Sequence, residues 1–255
     1  MADNNQMVLA FSIIIASLIV SGSVFFAVGS LNNSLAVLAR VAPNSVPTQQ
    51  QAIPQPTQQQ PDEQPAPTLS MKELSQNPSF TEGNPNAPVV MVEASDYQCP
   101  FCRRFYKESL ANVRKEYIDT GKVFFVYKDY PLPFHPAAQP AAEATRCAGD
   151  QGKAIEMHDA IFNLQDAKGQ GTVQFSVDEI KQEAQKLGLN MAAFNGCLDS
   201  KKYSKAVEEN LRQGSSAGVS GTPTFFIGKA NGSGKIIVGA QPYSEFKSAI
   251  DALLS

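Results

Sequence analysis

Followed from one end to the other, the apolar and polar positions of the chain fall into three stretches. Residues 7–28 are almost continuously apolar, with Ile13, Ile14, Ile15, Leu18, Ile19, Val20, Val24, Phe25 and Phe26, and no ionisable side chain occurs between Asp3 and Arg40. About 20 apolar residues in a helix cross a hydrocarbon core of roughly 30 Å, so residues 1–30 predict a transmembrane anchor. A cleaved secretory signal is the competing reading, since Ala27 and Gly29 are small enough for a cleavage site. The long apolar run and the lack of Lys or Arg before it favour the anchor. Residues 31–68 predict a disordered tether, with two Gln triplets and prolines at 43, 47, 54, 56, 61, 65 and 67. Such a segment has too little apolar surface to repay its ordering entropy, and its prolines stiffen it toward an extended form. A Pro-rich ligand for a partner's groove is the minor alternative.

From residue 69 to 255 the pattern is that of a folded domain. Residues 88–94, apolar except for Glu93, predict a buried strand. After Cys102, Phe105, Leu110, Val113 and Tyr117 recur at helical spacing until Gly121, and residues 122–127 predict a second strand. A mainly helical block follows over residues 137–216, broken at Gly149/Gly152, at 169–171 and at Gly188. Strands return at 224–227 and 235–238, joined by Asn231-Gly232-Ser233-Gly234, and an amphipathic helix over 243–254 closes the chain. The order β, α, β, helical block, β, β, α describes an α/β sandwich with a helical insertion.

Composition changes this picture little. The chain is 43% hydrophobic and 18% charged with a net charge of −3, and it has no basic patch suited to nucleic acid. The four cysteines matter more. Cys99 and Cys102 are spaced C-x-x-C, a few residues after a strand and at the start of a helix. There the free N–H groups and the positive end of the helix dipole stabilise an anion, so the Cys99 thiol should ionise easily. Pro100 suits the first helical turn, where its missing N–H is not needed. Cys99 is then expected to be an exposed nucleophile, and Cys102, one turn in, to resolve the mixed disulfide.

The segment Glu93-Ala94-Ser95-Asp96-Tyr97-Gln98-Cys99-Pro100-Phe101-Cys102 and the distant Gly221-Thr222-Pro223-Thr224-Phe225-Phe226 resemble a DsbA-like member of the thioredoxin superfamily. Tyr130-Pro131-Leu132, Phe134-His135-Pro136 and Ala141-Ala142-Glu143 through Cys147 add to the likeness, which covers roughly residues 70–255. The resemblance implies a thioredoxin fold with an inserted helical domain. It also implies that Pro223 is a cis-proline beside the cysteines, and that Glu93 is a buried acid passing protons to Cys102. Thr222, with Pro100 and Phe101, is expected to meet substrate and tune the redox poise. The alternatives are an ordinary trans Pro223 opening an edge strand and a Glu93 that faces water. Phe101 adds no positive charge beside the thiol, so a mild oxidant is expected rather than a strong one.

Cys147 and Cys197 lie on two helices of the block. A structural disulfide is the favoured reading for an exported protein with an even cysteine count. Two buried free thiols, or a second redox relay, are the other readings. His135 and His158 lack the second close pair that a zinc site wants, so no metal is expected; His135 fits a loop and His158 a packing or surface role. No cofactor beyond the redox-active disulfide is expected.

The sequence therefore predicts a protein thiol–disulfide oxidoreductase in the cell membrane, single-pass, with its catalytic domain extracytoplasmic. Its expected partners are cysteine-containing exported proteins and a membrane redox partner that recycles the pair; no nucleic-acid partner is expected. The lone Arg40 leans toward a cytoplasmic domain by the positive-inside rule, but a single charge is a small bias. An isomerase, a reductase, a metal-handling module on the same fold and a non-catalytic scaffold are the alternatives.

Overall fold

The computed structural model describes residues 69–255. The expected anchor and the expected tether lie outside the described residues. Among the described residues, no helix is long and apolar enough to cross a membrane.

A five-stranded sheet carries the fold, in the order β1-β3-β2-β4-β5. Its strands are β1 (Phe80–Glu82), β2 (Val89–Ser95), β3 (Val123–Asp129), β4 (Thr224–Gly228) and β5 (Lys235–Val238). β2 runs parallel to β3, and every other pairing is antiparallel. All seven residues of β2 are buried. A central strand covered on both faces has no solvent side, which is why Val89–Val92 run apolar without alternation. The short edge strand β1 had no such signal.

Short helix α1 (Met71–Leu74) is set by a reciprocal capping box between Ser70 and Glu73. Helix α2 begins at Pro100–Phe105 and continues through Ala111–Val113 and two π-helical turns, Tyr106–Leu110 and Arg114–Ile118. It starts at Pro100, in agreement with the expectation that Pro100 occupies the first turn and Cys102 lies one turn in. Its apolar face, Phe105, Leu110, Val113 and Tyr117, packs with β2, β3, β4 and the closing helix α8 (Tyr243–Leu254) in one core. The opposite sheet face packs Val90, Val92, Val126 and Phe226 against Met71 and Leu74 of α1 and against Ala217 and Val219.

Five helices form the insertion: α3 (Ala138–Gly149), α4 (Ala154–Ala167), α5 (Val177–Lys186), α6 (Met191–Asp199) and α7 (Ser204–Ser216). The glycine breaks fall between them as expected, and the α6–α7 break, with Lys201 at φ 53°, carries no glycine. The sulfurs of Cys147 on α3 and Cys197 on α6 are bonded, closing a 50-residue separation. A second tie reaches the sheet: the Arg146 guanidinium bonds Asp129 Oδ2 at 2.6 Å, both side chains buried at the end of β3. Gly214 lets α7 close onto Tyr130, because a Cβ there would sit 2.7 Å from the ring.

Candidate active site

The two cysteines of the C-x-x-C pair stand where β2 hands over to α2. Cys99 is the N-cap of α2 and Pro100 its first residue. The Cys99 thiol donates to the Thr222 carbonyl oxygen at 3.3 Å, and the Thr222–Pro223 peptide, just before β4, is cis. β4 lies directly beside β2, with Ala94 opposite Thr224. Antiparallel pairing thus brings two segments 123 residues apart in sequence to one sulfur.

Cys99 is 4% exposed, and Cys102 is fully buried. The expectation of an exposed nucleophile is therefore corrected. Thr222 lies over the sulfur, and Phe101, 51% exposed, is the part of the motif that faces solvent. Neither sulfur is bonded to another.

The two thiols differ strongly. Cys99 is lowered to about 6, chiefly by the hydrogen bond from the Cys102 thiol, with help from the Thr222 side chain and the N–H groups of Cys102 and Phe101; burial opposes these. Thr222 Oγ1 has no other partner. Cys102 is pushed well above the ordinary thiol range by burial, and then by donating to Cys99 and by the negative charges of Cys99, of Glu93 once it ionises, and of Asp96. One sulfur is thus the stable anion and the other holds its proton.

Glu93 projects from β2 and is 1% exposed. Its Oε2 has no hydrogen-bond partner, and burial raises it to about 8. It acts on Cys102 through space. A carboxyl that is neutral near pH 7 and close to a high-pKa thiol can trade a proton with it.

The loop under the cysteines is held from several sides. Asp96 is buried, and its Oδ1 accepts from the N–H groups of Gln98 at 2.6 Å and Cys99 at 3.1 Å. Its Oδ2 accepts from Leu132 N at 2.7 Å and from His135 Nδ1 at 2.8 Å. The Asp96 N–H donates to Cys102 Sγ at 3.4 Å. Gln98 pins the loop to the insertion, donating to Val173 O at 2.9 Å and accepting from Ala137 N at 2.8 Å. Asp96 and Gln98 hold the cysteine loop, a role that the sequence motif containing them did not reveal. Their signal was an Asp three residues before the N-cap, the place from which an Asx side chain meets turn N–H groups.

His135 is therefore not a free loop residue but part of this support. His158 is buried among Phe80, Tyr97, Tyr106, Tyr127 and Phe162, with ring centroids 4.9–5.8 Å away, and its Nδ1 meets Asp159 Oδ1 at 2.7 Å. Burial lowers its pKa, so it is a neutral packing group. Among the described residues, no three His, Cys, Asp or Glu are grouped to hold a metal.

Residues 75–252 match the family described as Thioredoxin, which is well over half of the chain. The chain belongs to the thioredoxin family. Among solved structures, its fold is similar to that of Wolbachia pipientis alpha-DsbA1, with a TM-score of 0.60 and 24% identity over 68% of this chain and 89% of that one. It is also similar to oxidised BdbD of Bacillus subtilis, with a TM-score of 0.59 and 24% identity over 74% of this chain and 96% of that one. The alignments take in most of each neighbour's length, so the likeness of these thioredoxin-family folds extends well beyond the sheet. Among curated sequences, the chain is 32% identical over 146 residues to Na(+)/H(+) antiporter NhaA 3 of Salinispora tropica, covering 57% of this chain and 21% of that protein. It is 27% identical over 153 residues to a provisionally named protein-disulfide oxidoreductase of Rickettsia typhi, covering 59% of this chain and 55% of that protein. The chain thus spans about a fifth of the antiporter and about half of the second relative.

Proposed function

We propose that this thioredoxin-family chain is a protein thiol–disulfide oxidoreductase that introduces disulfides into exported proteins. The observation that carries the reading is the opposed ionisation of one cysteine pair: Cys99 is lowered to about 6 while Cys102 is raised, beside a cis Thr222–Pro223 peptide. In the oxidised form, a substrate thiolate attacks Cys99 Sγ, a mixed disulfide forms, and the electron pair of the broken Cys99–Cys102 bond leaves on Cys102. A second substrate thiolate attacks the substrate sulfur of that mixed disulfide, and Cys99 leaves as the anion that its surroundings favour. Two electrons pass from the substrate to the pair. Glu93 supplies the proton that Cys102 takes up as it leaves, and regains one from solvent. Thr222, Pro100 and Phe101 form the surface that substrate meets.

A leaving thiol with a low pKa leaves faster and makes its own disulfide the stronger oxidant. This favours oxidation over reduction or isomerisation. The apolar residues 7–28 support a single-pass anchor, and the bonded Cys147–Cys197 pair supports an oxidising, extracytoplasmic compartment. A membrane redox partner that takes two electrons from the reduced pair completes the cycle. No antiport is proposed, because the antiporter match spans 21% of that protein. The test is oxidative refolding of a reduced, multi-cysteine protein by the oxidised chain. Stoichiometric substrate disulfides, lost in Cys99→Ser, support the reading; substrate oxidation unchanged in Cys99→Ser contradicts it.

A further inference from the structure

A buried aspartate–histidine contact lies beneath the cysteines. Asp96 and His135 come from different parts of the fold, the β2–α2 loop and the segment between β3 and α3, and meet at 2.8 Å with both side chains buried. A carboxylate can only accept, so His135 Nδ1 carries the hydrogen. Asp96 reaches both sulfurs without touching substrate: its carboxylate holds the Cys99 N–H and its own N–H holds Cys102 Sγ. With the Cys99 N–H occupied, the N–H groups of Phe101 and Cys102 are the ones left for the Cys99 anion. The arrangement carries a cost, because a buried negative charge stands near two groups that must each become anions in turn.

We propose that Asp96 and His135 act as a positioning pair: Asp96 fixes the turn that presents Cys99, and His135 offsets the Asp96 charge that would otherwise oppose the thiolate. The pair thereby sets the balance between dithiol and disulfide. The inference rests on the oxidoreductase reading and deepens it. The charged and titratable groups acting on the sulfurs are Glu93 from β2, Asp96 from the loop and the two cysteines themselves. Burial raises the Asp96 pKa, and its four donors oppose that rise.

Asp96→Asn keeps an oxygen for the Gln98 and Cys99 N–H groups while removing the charge. His135→Phe keeps the ring while removing the donor. The experiment follows the ultraviolet absorbance of the Cys99 thiolate against pH in wild type, each single variant and the double variant, together with equilibration against glutathione. Asp96→Asn should raise the Cys99 dissociation constant about tenfold, and His135→Phe should lower it by a similar factor. In the Asp96→Asn background, His135→Phe should have no further effect, since the charge it offset is gone. His135→Gln, which retains a donor, should restore most of the wild-type titration, and it serves if the Phe variant does not fold. A merely structural role predicts that both single changes move Cys99 toward an ordinary thiol and that their effects add; either result overturns the proposal. If wild type itself shows no thiolate below the ordinary range, the oxidoreductase reading fails. If wild type titrates near 6 and the variants do not differ from it, only the pairing fails.

Discussion

The thiol of Cys99 donates to the carbonyl oxygen of Thr222 at 3.3 Å, although the two residues are 123 positions apart. This contact exists because β4 pairs beside β2 and the cis Thr222–Pro223 peptide precedes it. It also covers the sulfur, so the nucleophile of the pair is buried while its neighbour Phe101 is exposed. On the proposed function, a substrate would meet Phe101 and the backbone around Thr222 before the sulfur.

Separation of roles between the cysteines predicts a trapped intermediate. Cys102→Ser, incubated with a disulfide-containing peptide, should accumulate a mixed disulfide through Cys99, because nothing remains to resolve it. Mass spectrometry reads the adduct. Cys99→Ser should yield none, since the Cys102 thiol is buried and protonated; an adduct on Cys102 contradicts the assignment.

Alkylation of the reduced protein by iodoacetamide should follow the Cys99 thiolate. The rate should rise with pH through a midpoint near 6, where Cys99 is placed. Cys102 should not react over the same range. A midpoint in the ordinary thiol range, about 8.5, counts against the site as described.

Glu93 couples stability to pH. Its folded pKa, about 8, lies above its ordinary value of 4.5, so the folded state retains a proton that the unfolded state has released. Stability from this group is full below the unfolded value and is lost as pH rises toward 8. Glu93→Gln removes the linkage. Its stability relative to wild type should improve between pH 5 and pH 7 by up to roughly 3 kcal/mol in denaturant unfolding, while turnover slows for want of the proton donor. An identical pH dependence in both proteins would argue against a protonated, buried Glu93.

A disulfide joins α3 to α6 within the insertion, and a buried ion pair joins α3 to β3; both can be cut. Replacing Cys147 and Cys197 with Ala opens a 50-residue loop, which in the chain-entropy account removes about 4 kcal/mol. Arg146→Ala leaves Asp129 buried without its guanidinium partner, at a cost of roughly 3–5 kcal/mol. Chemical denaturation measures both. Oxidation of substrate should persist in the double Cys variant where it remains folded, because Cys147 and Cys197 are bonded to each other and not to Cys99 or Cys102.

Much of the scaffold was legible because the physics was local. The apolar run of β2, the helical spacing of Phe105, Leu110, Val113 and Tyr117, and the glycine breaks in the insertion each carry their signal within a few residues. Strand β1 is three residues long and owes its existence to β3, so no local pattern marks it. Cys99 and Cys102 stood out by spacing alone. The burial of Cys99, by contrast, depends on Thr222 arriving from a distant strand. The bond between Asp96 and His135 joins positions 39 apart, and neither residue advertises the other. Sequence showed the reactive groups; the tertiary contacts that tune them appeared only in three dimensions.

The reduction potential of the Cys99/Cys102 pair, measured by equilibration with glutathione, tests the central claim most directly. A Cys99 near pKa 6 falls between the reducing and strongly oxidising relatives, whose potentials are about −270 and −120 mV. The expected value lies between those limits, with the dithiol as the favoured state. A potential at or below about −270 mV would contradict the oxidant reading and make the chain a reductase.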